Sequence, residues 1–176
     1  MKETGALTSC TWAAGNGQLD ILIHFRDIGR PWDEGTCASA AVNGHLKVLR
    51  WLYYNGCPWD ELTCTMAAKG GHLNVLQWAH AQNPPCPWNE WTCSMAASGG
   101  HLDVLEWLHE NDCPWNEWAC AEAALGGHLN ILIWLREKGC PWDEWTCKWG
   151  AKNGNPDVLR YIVENKCPGY EKFLHD

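Results

Sequence analysis

The sequence lacks any apolar run approaching the roughly 18 residues of a membrane-spanning helix. Its clearest apolar cluster, ILIWL at 131–135, has the length of a single helix face. The opening residues, MKETGALTSC, are polar and lack the apolar core of a secretory leader. We therefore expect no membrane anchor and no export. We place the chain in the cytoplasm, with the nucleus as an alternative.

The motifs that mark common active sites are also missing. The sequence contains no phosphate-binding P-loop, no GxGxxG, no HExxH and no GxSxG. Its many Cys and His residues recur at the same place in successive segments, whereas an active site is usually a single asymmetric arrangement. We predict a protein that is not an enzyme, with no catalytic residues, no cofactor and no bound metal.

Basic residues are scarce. The chain has 13 Lys and Arg against 21 Asp and Glu, a formal net charge of −8. Residues 1–88 carry 6 basic and 7 acidic residues, whereas residues 89–176 carry 7 and 14. An acidic second half repels phosphate, which argues against binding nucleic acid. The same charge favours a partner protein with a basic face.

What the sequence does contain is a repeat. The Cys that precedes each small-residue pair falls at Cys10, Cys37, Cys64, Cys93, Cys120 and Cys147, with spacings of 27, 27, 29, 27 and 27. Pro-Trp and Gly-His-Leu follow the same period, and the single longer spacing coincides with NPPC at 83–86. A fixed period of this size indicates a repeat array. We predict one array over 8–167, with repeats at roughly 8–31, 32–58, 59–87, 88–114, 115–141 and 142–167, and a tail over 168–176.

Each repeat is predicted to be helix, tight turn, helix and loop. Four short polar residues suit the N-cap of the first helix: Asp60, Asn89, Asn116 and Asp143. Gly71, Gly100 and Gly127 suit its end, where the backbone φ must turn positive. The second helix is predicted over 101–111 and its equivalents, and Cys-Pro is predicted to stop it. No segment alternates like a strand, so we expect an all-α solenoid of about six stacked helix-turn-helix repeats.

The pattern Ala-Ala-x-x-Gly-His-Leu-x-Val-Leu resembles the ankyrin repeat, and the resemblance covers roughly residues 8 to 167. The short form punctuated by Cys-Pro-Trp is similar to ankyrin-like arrays of giant viruses and protists. The family's Thr-Pro-Leu-His opening is replaced by Trp91-Thr92-Cys93-Ser94, and the repeat is shorter than the usual ~33 residues. The resemblance therefore implies shortened or absent β-turn fingers, and a binding surface that relies on the concave helix face.

Eleven Cys residues leave three interpretations open. Pairs such as Cys93 and Cys86 are seven positions apart, whereas structural zinc motifs favour two to four intervening residues. We favour small buried apolar residues in a reducing compartment. A zinc- or redox-responsive array is the less favoured alternative. The resemblance to the ankyrin repeat implies that the His of each Gly-His caps or braces its turn.

The fourteen Trp residues form two groups. The first follows Pro in every complete loop and is predicted to pack over the ends of the helices: Trp32, Trp59, Trp88, Trp115 and Trp142. The second occupies a position that varies along the array: Gly35, Leu62, Trp91, Trp118 and Trp145. Three successive Trp residues there would form either an exposed row of binding anchors or packing between repeats.

The candidate partner-binding residues come from that position, from a second position that changes along the array, to which Ser94 and Lys148 belong, and from an acidic rim that includes Glu90 and Glu117. They are Trp91, Trp118, Trp145, Leu62, Glu90, Glu117, Ser94 and Lys148. An acidic rim that would bias partner choice adds Asp103, Glu106 and Glu122.

The sequence thus favours a protein–protein interaction scaffold with an unidentified partner. The alternative is a structural segment of a longer array with no partner of its own, because the first repeat lacks its Pro-Trp-Asp-Glu opening. We expect a monomer, with end-to-end association through the N-terminal repeat as the other outcome.

Overall fold

A computed structural model describes residues 9–173 of the chain. The start of the first predicted repeat, at residue 8, and the last residues of the predicted tail lie outside the described residues. Within 9–173 the structure has no strand, which agrees with the predicted all-α class. No helix in that range is long and apolar enough to cross a membrane. The chain divides into two compact units between Trp88 and Asn89, next to the predicted boundary between the third and fourth repeats.

Each unit contains three helix pairs. The first unit has α1 (Cys10–Gly15), α2 (Leu19–Asp27), α3 (Glu34–Val42), α4 (Leu46–Tyr54), α5 (Glu61–Lys69) and α6 (Leu73–His80). The second has α7 (Glu90–Gly99), α8 (Leu102–Glu110), α9 (Glu117–Gly126), α10 (Leu129–Glu137), α11 (Glu144–Asn153) and α12 (Pro156–Glu164), and a 3-10 turn follows over Tyr170–Phe173. The odd-numbered helices, here called the first helices, pack side by side within each unit. Fully buried Ala pairs, such as Ala96 and Ala97, allow that close approach.

Short polar side chains start the first helices, as predicted. Asn89 Oδ1 accepts a hydrogen bond from the Trp91 backbone N–H at 3.0 Å, and Asn116 Oδ1 accepts one from Trp118 at 3.1 Å. Asp60 and Asp143 cap α5 and α11 in the same way. These oxygens satisfy backbone donors that have no partner inside the helix. The four predicted N-caps are confirmed.

The helix ends are partly as predicted. Gly71, Gly100 and Gly127 have φ of 74°, 81° and 74° where the chain turns into the second helix. The prediction that Cys-Pro stops the second helix is wrong, because α8 already ends at Glu110. A residue with positive φ, Asp112 at 59°, reverses the chain before Cys113 is reached.

The cysteines close each helix pair on itself. The thiol that follows a second helix donates to the backbone carbonyl at the start of its own first helix, as from Cys140 to Asn116 at 3.3 Å. The thiol inside the first helix donates in turn to the carbonyl of the loop Cys, as from Cys147 to Cys167 at 3.7 Å. All eleven Cys lie within residues 9–173, where they are buried and form no disulfide. The favoured prediction of small buried residues is confirmed, and the thiols and the carbonyls that close each pair lie 20 to 26 positions apart in the chain.

The histidines of Gly-His-Leu join neighbouring pairs. His45 Nε2 lies 3.1 Å from the carbonyl oxygen of Gly15, and His72 Nε2 lies 3.1 Å from that of Val42. Each ring therefore reaches the end of the preceding first helix, 30 positions earlier in the chain. In the last pair Asn155 Nδ2 donates to the Gly127 carbonyl at 3.2 Å instead. The predicted bracing role is confirmed, and the brace also links successive repeats.

Candidate functional site

The Trp residues of the Pro-Trp loops are structural. Each packs on the last turn of the preceding second helix: Trp115 stacks on His109 with centroids 4.4 Å apart and planes 10° apart. Arg26 lies 3.6 Å above the Trp32 ring, and the Arg136 guanidinium lies 4.4 Å above the Trp142 ring. These contacts confirm the prediction that this group packs over helix ends.

The second group forms a row on the first helices of the second unit. We call Trp91, Trp118 and Trp145 the tryptophan row. The ring centroids of Trp91 and Trp118 are 6.0 Å apart and those of Trp118 and Trp145 are 6.2 Å apart, with planes inclined by 26° and 27°. Trp91 is 48% exposed and Trp145 is 41% exposed, whereas Trp118 is half-buried between them. The row is thus both packed between repeats and open to solvent.

Sequence reasoning did not single out Trp149, which widens the row. Its ring centroid lies 5.2 Å from that of Trp118 and 6.2 Å from that of Trp145. Trp149 is four positions after Trp145, a spacing that places two side chains on one helix face. This spacing in the sequence could have identified Trp149 as a neighbour of Trp145. The enlarged aromatic surface suits anchoring of a partner, because Trp is over-represented among residues that dominate binding energy.

A glutamate precedes each Trp of the row, at the first position of its helix. Glu90 is exposed and Glu117 is half-buried. Glu144 binds Lys148 at 3.1 Å and Lys172 at 3.7 Å, and the hydrogen bond from Lys148 lowers the pKa of the Glu144 carboxyl. Among residues 9–173, no ion pair involves Glu90 or Glu117. The row therefore carries two carboxylates without an ion-pair partner in the described chain.

Lys148 contacts the row as well as Glu144. Its Nζ lies 4.2 Å from the centroid of the Trp145 ring, within the range of a cation–π interaction. Glu144, Trp145 and Lys148 thus form one group in which a carboxylate and an indole hold the same ammonium.

Three of the predicted residues do not belong to this surface. Ser94 is fully buried and its Oγ donates to the Glu90 carbonyl at 3.1 Å, so it offers no contact to a partner. A small residue at this position fits between neighbouring first helices. Asp103 and Glu106 are exposed on α8, which is a second helix, whereas the tryptophan row lies on first helices. The acidic rim was predicted from charge alone, which does not show on which helix a residue lies. Glu122 does lie on a first helix, where its carboxylate accepts a hydrogen bond from Ser98 at 2.7 Å.

Leu62 lies in the first unit and is 39% exposed. It borders a shallow, largely apolar groove of about 310 Å³ on the first helices, lined also by Thr11, Gly35, Val42 and Met66. Gly35 stands at the repeat position that a Trp occupies in the second unit, and its missing side chain leaves this part of the surface recessed.

Two buried thiols, Cys64 and Cys120, have little chemical reactivity in this fold. A side-chain hydrogen bond with Cys86 raises the pKa of Cys64 above its ordinary value, and burial raises it further. Cys120 is raised for the same two reasons, with Cys140 as its partner. A protonated thiol is a poor nucleophile and a poor metal ligand. Within the described part of the chain, no three His, Cys, Asp or Glu side chains converge in a way that would hold a metal ion.

Comparison with known proteins places this geometry in a family. A family model of ankyrin repeats, present in many copies, matches residues 37–80 and 93–136. The fold is similar to the crystal structure of the ankyrin repeat domain of human ASB11, with a TM-score of 0.61 and 16% sequence identity. That alignment covers 88% of this chain and 82% of the other. No curated protein matches the sequence.

Proposed function

Because the chain belongs to the ankyrin repeat family, we propose that it is a non-enzymatic scaffold that binds a partner protein through the tryptophan row. Ankyrin repeats are in general protein–protein interaction modules. Such modules bind by presenting side chains on a preformed surface, which keeps the ordering cost of binding low.

The observation that carries this proposal is the exposure of the row. A large indole that is half exposed leaves apolar surface in water, and removing that surface from water on binding is favourable. Trp91 and Trp145 are the only Trp among residues 9–173 with this degree of exposure. The Pro-Trp residues, in contrast, already have partners within the fold.

The chemistry of the described residues also supports a role without catalysis. The Cys side chains are buried, and the His side chains at His45, His72 and His128 lie against backbone carbonyls. We further propose a reducing compartment, such as the cytoplasm. This rests on eleven Cys that form no disulfide within residues 9–173, since an oxidising compartment would expose their thiols to oxidation during folding.

The test compares three forms of the full chain as baits in cell lysate. One is the parent and one carries Trp91→Ala, Trp118→Ala and Trp145→Ala. The third is a matched control that removes exposed apolar residues elsewhere, Ile21→Ala, Ile28→Ala and Tyr54→Ala. Circular dichroism first establishes that all three are folded.

We expect a protein that the parent and the control retain and the row variant loses, and that binds the purified parent directly. Retention by all three folded forms would place the binding elsewhere. If no form retains a specific protein, the chain is better explained as a structural segment of a longer array.

A further inference from the structure

The tryptophan row has two ends, and among residues 9–173 a Lys or Arg lies over the ring at only one of them. Trp118 stands between Trp91 and Trp145, with a stacked ring on each side. Trp145 has the Lys148 ammonium 4.2 Å from its ring centroid. Trp91 is the most exposed ring of the row. Among residues 9–173, no Lys or Arg lies over the Trp91 ring.

At the Trp145 end, Lys148 lies between a carboxylate and an indole. Lys148 is four positions after Glu144 and three after Trp145, so a single cation meets both a carboxylate and an indole. The corresponding position on α7 is Ser94, which is buried and carries no charge. Glu90 and Trp91 therefore repeat the carboxylate and the ring but have no cation between them.

We propose that Glu90 and Trp91 bind a basic side chain of the partner protein at their solvent-exposed surface, with the same two groups, a carboxylate and an indole, that hold Lys148 on α11. This inference rests on the proposed function and names the chemistry of the partner segment at that surface. Arginine fits better than lysine, because its planar guanidinium stacks on an indole and pairs with a carboxylate at the same time. Glu117, which also has no ion-pair partner in the described chain, favours a second basic residue nearby.

Charge complementarity makes a basic segment the fitting occupant. Residues 89–176 carry 14 acidic against 7 basic residues, so a basic segment is attracted before contact and a neutral or acidic one is not. An apolar segment would bury the Trp91 ring but would leave the Glu90 carboxylate to be desolvated without a partner, which is costly.

The test uses capped Gly/Ser peptides as probes, one with two arginines and one with two citrullines, which keep the shape and lose the charge. Each is titrated into the full chain while NMR records the indole N–H signals of Trp91 and Trp145. We expect the arginine peptide to shift the Trp91 signal saturably and to leave Trp145 unchanged, and the citrulline peptide to bind at least about three-fold more weakly.

Three variants test which residues hold the arginine side chain. Glu90→Gln should weaken the arginine peptide by about three-fold. Glu61→Gln is the matched control, because Glu61 is exposed at the same helix position but precedes Leu62 and not a Trp. It should leave the affinity unchanged. The double change Lys148→Ala and Lys172→Ala should open the other end, so that the arginine peptide now shifts Trp145 as well.

Several results would overturn the proposal. These are equal binding of the arginine and citrulline peptides, equal losses from the Glu90 and Glu61 variants, a shift of Trp145 in the parent as large as that of Trp91, or no saturable shift. The proposed function is tested separately: a partner lost from the row variant but kept by Glu90→Gln would sustain the row as binding surface and reject the basic side chain.

Discussion

Trp115 and Trp91 show how the same side chain takes different roles in this chain. Trp115 stacks on His109 at 4.4 Å and meets the Trp134 ring edge-on at 5.9 Å. Trp91 has one stacked neighbour and is 48% exposed. The number of faces covered by the fold, and not the residue type, separates structural indoles from those available to a partner.

That difference predicts unequal effects on stability. Trp115→Ala should lower the free energy of unfolding by about 2–3 kcal/mol, because it removes packing from a half-buried site. Trp91→Ala should lower it by less than about 1 kcal/mol, since most of the lost contact is with water. Urea unfolding followed by far-UV circular dichroism measures both. Equal losses would mean that the row is part of the core.

The buried thiols predict a pH dependence of stability. The pKa values of Cys64 and Cys120 are raised in the folded chain, while the unfolded thiols ionise near their ordinary value of 9.0. Above about pH 9 the unfolded state therefore loses protons that the folded state keeps, which favours unfolding. Each such thiol should lower the free energy of unfolding by about 1.4 kcal/mol per pH unit above that point, and by nothing well below it.

Replacing two of these thiols supplies the control for that pH dependence. A Cys64→Ala and Cys120→Ala variant removes two of the titrating groups and leaves every Lys and Tyr in place. Its stability should fall less steeply between pH 9 and pH 10, values chosen from the ordinary thiol pKa. Equal slopes for parent and variant would show that these thiols ionise in the folded chain.

The helices were the most predictable feature of the molecule. Their N-caps and glycine ends follow from local chemistry, because a short acceptor satisfies free N–H groups and glycine accepts a positive φ. Contacts between segments that are distant in the sequence could not be predicted from local chemistry. The pairing of Cys64 with Cys86 and the reach of His72 to Val42 depend on how two helices fold together, and neither is visible in adjacent sequence.

Gly100 tests the link between a helix end and the next repeat. Its φ is 81°, and a Cβ added there would lie 2.7 Å from Cε1 of His128. Gly100→Ala should therefore cost about 1 kcal/mol for the backbone and more for displacing the brace. Gly139, at φ 82°, has nothing within 4 Å of the same added atom. Gly139→Ala should show the backbone cost alone, and thermal unfolding of both variants measures the difference.

Only part of the proposed binding surface could be predicted from the repeat pattern. The varying position identified Trp91, Trp118 and Trp145, because a residue that changes along an array is not fixed by its fold. The same reasoning selected Ser94, which the neighbouring helix buries, although Lys148 at the equivalent place is exposed. Burial depends on whether a further helix packs against that side, and a single repeat does not contain this information.

The acidic charge of the chain and its aromatic surface belong to one function in our proposal. Carboxylates beside the row attract and orient a basic segment, and the indoles supply apolar area once it arrives. The structural Trp residues and the thiols keep each helix pair closed, which holds the row in one geometry. Recognition and stability thus use the same residue types at different positions of the repeat.

Site-specific photocrosslinking locates the binding surface most directly. A photoreactive phenylalanine derivative replaces Trp91 in one form of the full chain and Tyr54, an exposed aromatic residue outside the row, in another. With the partner identified by capture, we predict a covalent product from position 91 and none from position 54. A product from position 54 with none from 91 would contradict the assignment of the tryptophan row as the partner-binding surface.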